Sequence, residues 1–352
     1  MRKTIAYLAP LALFALPALA YAHEVYVLND AEIATGISSP PFDMMRVALD
    51  NLHQFIFWGF IVFVVVSTIF CMSIFRIFEL ACAPLFLRLR PYAPSVARIT
   101  VGIGFIASGY FGATFGPELP FAGSYGPHAQ AIAFTLILIG ALITLGLWAR
   151  AAALGAFVLF CVSTYIHGSY MLTYINYFGE ILVLLLIGSH RLSIDSLISK
   201  SGGVRNAYLA YAERMKHLAF PILRATFGLS LIYASFYAKI LHNTLALQVA
   251  SLPLAGHAHE LAYYFGFEPH FLVLGAALIE ILLGLFYVFG VEIRWTSLFL
   301  LFWLSLSLWF FGETVWPHII LIGIPIAFIM HGYDYYSLEG RFFKKGKLEP
   351  VL

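Results

Sequence analysis

The chain has 352 residues, 61% of them hydrophobic and only 11% charged, with a net charge of +2 and a mean hydropathy of +0.88. Soluble domains carry about 25% charged residues, so the composition excludes an ordinary soluble domain and defines an integral membrane protein with several spans. Net charge this small offers nucleic acid no electrostatic footprint, and basic residues read instead as topology signals.

Residues 1–22 read as a secretory signal. Arg2 and Lys3 form the charged start, Ile5–Leu16 the apolar run and Ala20-Tyr21-Ala22 a small-x-small cleavage site. An uncleaved anchor helix is the other reading. Cleavage would leave His23 as an amino terminus able to chelate copper through amine and imidazole. Residues 23–94 hold an outer segment with Pro40-Pro41, then a first span over Leu52–Phe75. A basic, proline-broken cytoplasmic loop follows, carrying Arg76, Arg88, Arg90, Pro84, Pro91 and Pro94. Eight more apolar stretches follow, over 98–116, 130–148, 151–167, 173–189, 219–240, 269–290, 295–311 and 316–331. With the N-terminus outside, alternation leaves only Arg46 and Lys239 of the mature chain's basic residues at or near the outer face, as the positive-inside rule requires. The expected architecture is all-α and polytopic: nine mature spans in a bacterial inner membrane, N-terminus outside and C-terminus cytoplasmic.

An internal repeat organises the last eight spans. Arg98-Ile99-Thr100-Val101-Gly102 matches Arg224-Ala225-Thr226-Phe227-Gly228. Gly146-Leu147 pairs with Gly284-Leu285, which sets Leu142 opposite Glu280. Arg150 and Arg294 each open the next span. Gly188-x-His190-x-Leu192-Ser193-x-Asp195 matches Gly332-x-Asp334-x-Tyr336-Ser337-x-Glu339. Each half has four spans starting on the same side, so the halves are parallel repeats rather than inverted ones. They run over 95–200 and 201–340, with a polar linker across Ser196–Lys216 and a basic tail at 341–352.

The pattern resembles the DoxX family of four-helix bacterial membrane proteins, here in tandem. The resemblance rests on Arg224 and Gly228 opening one helix, Lys239 closing it, Glu280 within Ala277-Leu278-Ile279-Glu280, and the Gly-x-x-x-Tyr-Ser-x-acid ending. The first half lacks the lysine (Ala113) and the glutamate (Leu142). The family is similar to subunits of thiosulfate:quinone oxidoreductase and to partners in oxidant-defence complexes. The resemblance therefore implies a quinone-linked membrane subunit with a redox or assembly partner, and a site, where one half keeps it, in the second half.

The residues point to chemistry in their own right. Pro269–Gly290, about 33 Å long as a helix, carries one carboxylate, Glu280, near its middle. Such a group costs a few kcal/mol in lipid and is tolerated where it faces helices, a cavity or a partner. Glu280 with Lys239 can bind and protonate a quinone head group; a pairing that only assembles helices is the alternative. Glu180 is a further intramembrane acid, and Tyr233, Tyr237 and Trp303 are candidate ring contacts. Nine histidines lie toward the outer face, among them His167, His257, His259 and His318, which with Glu180, Glu260 or Glu313 can ligate copper, zinc or haem iron. No HExxH motif or haem-attachment CxxCH accompanies them, and none of the three cysteines, Cys71, Cys82 and Cys161, belongs to a CxxC pair. A second reading is thus a non-enzymatic carrier or assembly factor for lipid or metal. Phosphate loops, nucleophile elbows and basic-aromatic nucleic-acid stripes are absent from the sequence.

Overall fold

The computed structural model describes residues 27–28, 30–189, 191–201, 207–253, 259–260, 263, 266–311 and 316–343. The signal, His23, His190, His257, Glu313, the Gly202-Gly203 pair and the lysines of the tail lie outside the described residues. Helices dominate and there is no strand among the described residues. They are α1 (Asp30–Ser38), α2 (Met44–Asn51), α3 (Phe55–Leu89), α4 (Ala93–Phe111), α5 (Phe121–Tyr125), α6 (Ala129–Leu145) and α7 (Ala149–His167). After them come α8 (Ile175–Ile187), α9 (Ile194–Ser201), α10 (Ala207–Phe236), α11 (Asn243–Ala250), α12 (Pro269–Phe289), α13 (Ile293–Phe311) and α14 (Pro317–His331). Among the described residues six helical stretches are long and apolar enough to cross a membrane: 57–75, 121–145, 149–187, 214–241, 269–289 and 293–311.

Two segments differ from the sequence reading. The basic stretch after the first span is not a loop, because α3 runs unbroken from Phe55 to Leu89 through Pro84. Glu79 on it pairs with Arg294, whose guanidinium also lies 4.3 Å from the Phe86 ring centre. Tertiary anchoring thus outweighs the one backbone hydrogen bond that proline removes. Pro91 and Pro94 instead sit in the first turns of the next helical segments, where the missing N–H is harmless. The linker is also largely helical, in α9 and the start of α10.

One set of contacts occurs in both halves. Arg98 donates to Thr144 O at 3.4 Å and Arg224 to the equivalent Val288 O at 2.7 Å. Their other partners differ, the Ser189 and Leu192 carbonyls for Arg98 and the Tyr287 carbonyl and Asp334 carboxylate for Arg224. Arg150 Nε donates to Leu185 O at 3.1 Å and Arg294 Nε to Ile329 O at 2.9 Å. Asp195 N donates to Gly146 O and Glu339 N to Gly290 O, both at 3.0 Å. Their carboxylates then accept from the first free N–H groups of α7 and α13, as helix caps do. Gly146 and Gly290 both take left-handed φ (64° and 68°) at a helix end, where a Cβ would be strained.

This register corrects the pairing of Gly146 with Gly284. Gly140 faces the Gly102 carbonyl as Gly284 faces that of Gly228, so Gly284 answers to Gly140 and Gly146 answers to Gly290. Leu136, not Leu142, therefore stands in the place of Glu280. The sequence pairing took Gly146 because Leu147 follows it as Leu285 follows Gly284, and only the helix-crossing contact singles out Gly140 instead.

The halves also meet reciprocally. The opening helix of each half packs on the closing helix of the other: α4 on α14 and α10 on α8. Gly323 leaves no room for a Cβ against Thr100, and Gly179 none against Thr226. Small residues at such crossings let helix backbones approach closely. Outside this core, α1 and α2 pack over α11 and α12. Asn243 holds Phe42 by two hydrogen bonds, 3.0 Å from Phe42 N to Oδ1 and 2.7 Å from Nδ2 to Phe42 O.

Candidate functional site

Glu280 sits midway along α12, beside the end of α10. There the helix widens into a π-helical turn over Tyr237–Leu241, a distortion often found where a side chain must be re-aimed. The turn carries Lys239, buried to 8% exposure. Its Nζ lies 2.9 Å from Glu280 Oε2. From α13, Trp303 Nε1 approaches Glu280 Oε1 at 3.4 Å.

These three side chains line one cavity of about 340 Å³, in the size range of small-molecule sites. Its remaining walls are almost wholly apolar, including Phe267, Phe271, Phe310 and Phe311, and His318 of α14 adds an imidazole. Ala246, Val249 and Ala250 of α11 also line it; Leu28 and Ile33 of the N-terminal segment pack against that helix through Leu245 and Val249. An ion pair in such surroundings carries a desolvation penalty that its own attraction roughly offsets, whereas removal of one partner leaves a buried charge.

The candidate residues divide as follows. Lys239, Glu280, Trp303 and His318 converge on the cavity. Tyr233 and Tyr237 do not line it, contrary to their reading as cofactor contacts: α10 presents Leu231 and Ala234 there, and neighbouring positions point about 100° away on a helix. Tyr237 instead meets the edge of Tyr170 and the His242 ring. Glu180 lies on α8 in the first half, away from this cavity. Among the described residues the histidines are not gathered into a metal centre. The His167 ring is 3.1 Å from Ser124 Oγ, His259 stacks on Tyr263, and His318 is in the cavity wall. Among the described residues the metal-type grouping is a different one, Glu79, Glu292 and Glu339, with Arg294 bonded to Glu79.

Glu118, in the loop between α4 and α5, was not singled out from sequence. Its Oε1 accepts from Tyr170 at 2.9 Å and from Tyr174, while Oε2 is buried without a hydrogen-bond partner among the described residues. Burial pushes its carboxyl up to about 7, against the hydrogen bonds from Tyr174 and Tyr170. One signal was present: a lone acid in Phe115-Gly116-Pro117-Glu118-Leu119-Pro120, a loop otherwise without charge. In the register given above, Tyr174 stands where His318 stands in the second half.

No family model matches the chain, and no curated protein or solved structure is significantly similar to it. Fold and cavity define a class: an all-helical, membrane-embedded protein with a charged pair set in an apolar cavity.

Proposed function

We propose that the chain is a DoxX-like polytopic subunit of a quinone-linked redox or oxidant-defence system, and that the second half holds the quinone head group at Lys239 and Glu280. The observation that carries this reading is the 2.9 Å pair on the wall of a 340 Å³ apolar cavity. The pair is charge-balanced, so it suits a neutral head with oxygen acceptors better than an anionic lipid head. Lys239 Nζ donates to a head-group oxygen, Glu280 holds or releases the proton at its carboxylate, and Trp303 closes the side of the site. A lipid quinone, when bound, supplies two-electron, two-proton chemistry, and the electrons come from a partner protein.

The finer architecture belongs to the same proposal: nine spans, two parallel four-helix repeats and one added N-terminal span in the inner membrane, N-terminus outside. The twice-made arginine contacts and the exchanged Gly–Thr contacts support two like-oriented repeats, as an isologous pairing would. Binding of a short-chain quinone to purified protein, followed by Trp303 fluorescence quenching, tests the site. Glu280→Gln and Lys239→Met are each expected to weaken binding at least tenfold; unchanged binding in both refutes it. A carrier of membrane lipid is the second reading, favoured by the apolar walls. Mass spectrometry of co-purified lipid separates the two, with phospholipid in place of quinone supporting the carrier.

A further inference from the structure

Glu180 stands where α8 meets α4 and α10, and the proposed quinone site does not use it. It is 2% exposed, and neither carboxylate oxygen has a hydrogen bond of ordinary geometry among the described residues, the Asn176 side chain one turn earlier lending only a weak one. A bare carboxylate is far more costly to bury than the neutral acid, so this position suits a group that exchanges a proton rather than a fixed charge.

Two tyrosines, Tyr174 and Tyr177, stand between it and Glu118. Tyr174 donates to Glu118, and Tyr177 follows one turn later with ring centres 6.0 Å apart. Glu180 lies three residues further along α8, so the three side chains follow one flank of the helix. The Tyr177 hydroxyl donates to Phe115 O at 3.2 Å, a bond it must leave to pass a proton on. Beyond Glu180 is a cavity of about 20 Å³, room for roughly one water. Arg98 lines that cavity too, fixed by the carbonyls of Ser189 and Leu192. Its charge opposes passage of a proton. Tyr170, with Tyr237 against its ring, is a further titratable group at the entrance, Asp195 faces Arg98, and α10 presents Ala219, Phe220 and Leu223 at the cavity. In the second half Ile324, fully buried, stands in the place of Glu180.

We propose that Glu180 is a proton-loading site, filled from the side of the membrane that the α4–α5 loop faces, through Glu118, Tyr174 and Tyr177, and closed at its far end by Arg98. A proton taken up on Glu118 passes to a tyrosine hydroxyl as that hydroxyl gives its own proton onward, since a hydroxyl both donates and accepts. Glu180 ends the sequence one proton richer and Glu118 is restored, with no electron transferred.

The test is infrared spectroscopy of the full chain in lipid bilayers after transfer from H2O to D2O. Wild type minus Glu180→Gln is expected to show a protonated-carboxyl band that shifts on deuteration. Glu118→Gln and Tyr177→Phe are each expected to slow that shift at least tenfold, and Glu280→Gln to leave it unchanged. Where the amide variant fails to fold, Glu180→Asp keeps an acid and moves the band, which makes the assignment. A missing Glu180 band, or an unchanged exchange rate in either Glu118→Gln or Tyr177→Phe, overturns the proposal. Quinone binding at Glu280 can fail without touching this result.

Discussion

Taken as the proposed repeat, the two halves use one helical frame to opposite ends. In the second half, Lys239, Glu280, Trp303 and His318 surround an open cavity. In the first, Ala113, Leu136, Leu159 and Tyr174 take those four places, and all four are buried core. The connection after the opening helix makes the rest of the difference. In the first half it is short, and it drops Phe115, Leu119 and Phe121 into the bundle. In the second it runs through α11, which turns outward to pack with α1. A frame fixed by arginines, glycines and caps thus tolerates either a filled or a hollow interior, and one loop with four side chains decides which.

Making the first half imitate the second is the most damaging change. Leu136 is 1% exposed, so Leu136→Glu buries a carboxylate with no lysine at Ala113. The cost is several kcal/mol, and the expected outcome is loss of monodisperse protein in detergent chromatography. Ala113→Lys added to it is expected to restore part of the yield. The reverse imitation comes next. Glu280→Leu removes the carboxylate partner of Lys239 and is expected to cost about 3–5 kcal/mol, seen as a large fall in Tm. Glu280→Leu with Lys239→Ala copies the first half and is expected to recover most of that loss. A double variant no better than the single one would mean that the pair does not interact.

Much of this site could be read before any coordinates, and the reason is physical. An acid and a lysine within apolar runs are costly enough to stand out singly, and so Glu280 and Lys239 were legible, with Trp303 and His318. Their meeting was not, because it needs the π-helical turn that re-aims Lys239. Glu118 was hidden by its loop, where acids ordinarily face water; only the inward fold of Phe115 and Leu119 buries it. Most helix ends fall within about five residues of the sequence reading, since glycines and arginines mark them, but α3 and the start of α10 run well beyond it. The misplaced Gly146 pairing and the continuous α3 show the limit. Both depend on contacts between helices distant in sequence, Gly140 on Gly102 in one case and Glu79 on Arg294 in the other.

The helix crossings sharpen the comparison at smaller cost. A Cβ on Gly140 would lie 2.5 Å from Gly102 O and 2.7 Å from Ile106 N, both backbone atoms. On Gly284 it would lie 2.5 Å from the Ile232 side chain and 2.7 Å from Gly228 O. Overpacking of this kind costs about 1–3 kcal/mol. Gly140→Ala is expected to lower Tm more than Gly284→Ala, because two backbone atoms lie within 3.0 Å of the added Cβ at Gly140 and one at Gly284. Equal losses would mean that the hollow half is as tightly held as the filled one.

The mildest effect comes from Glu118, through pH. Its carboxyl is held up at about 7, from an ordinary 4.5, by burial, so between those values the folded chain binds a proton that the unfolded chain lacks. Stability from this group is then complete below about pH 4.5 and is lost as pH rises through 7, by roughly 2 kcal/mol after allowing for its partial exposure. Glu118→Gln keeps the shape and deletes the titration. Its Tm is expected to match wild type at pH 5 and to exceed it at pH 8. Parallel Tm curves for the two proteins across that range would show that the Glu118 carboxyl is already ionised in the folded chain at pH 5, with Tyr170 and Tyr174 offsetting its burial in full.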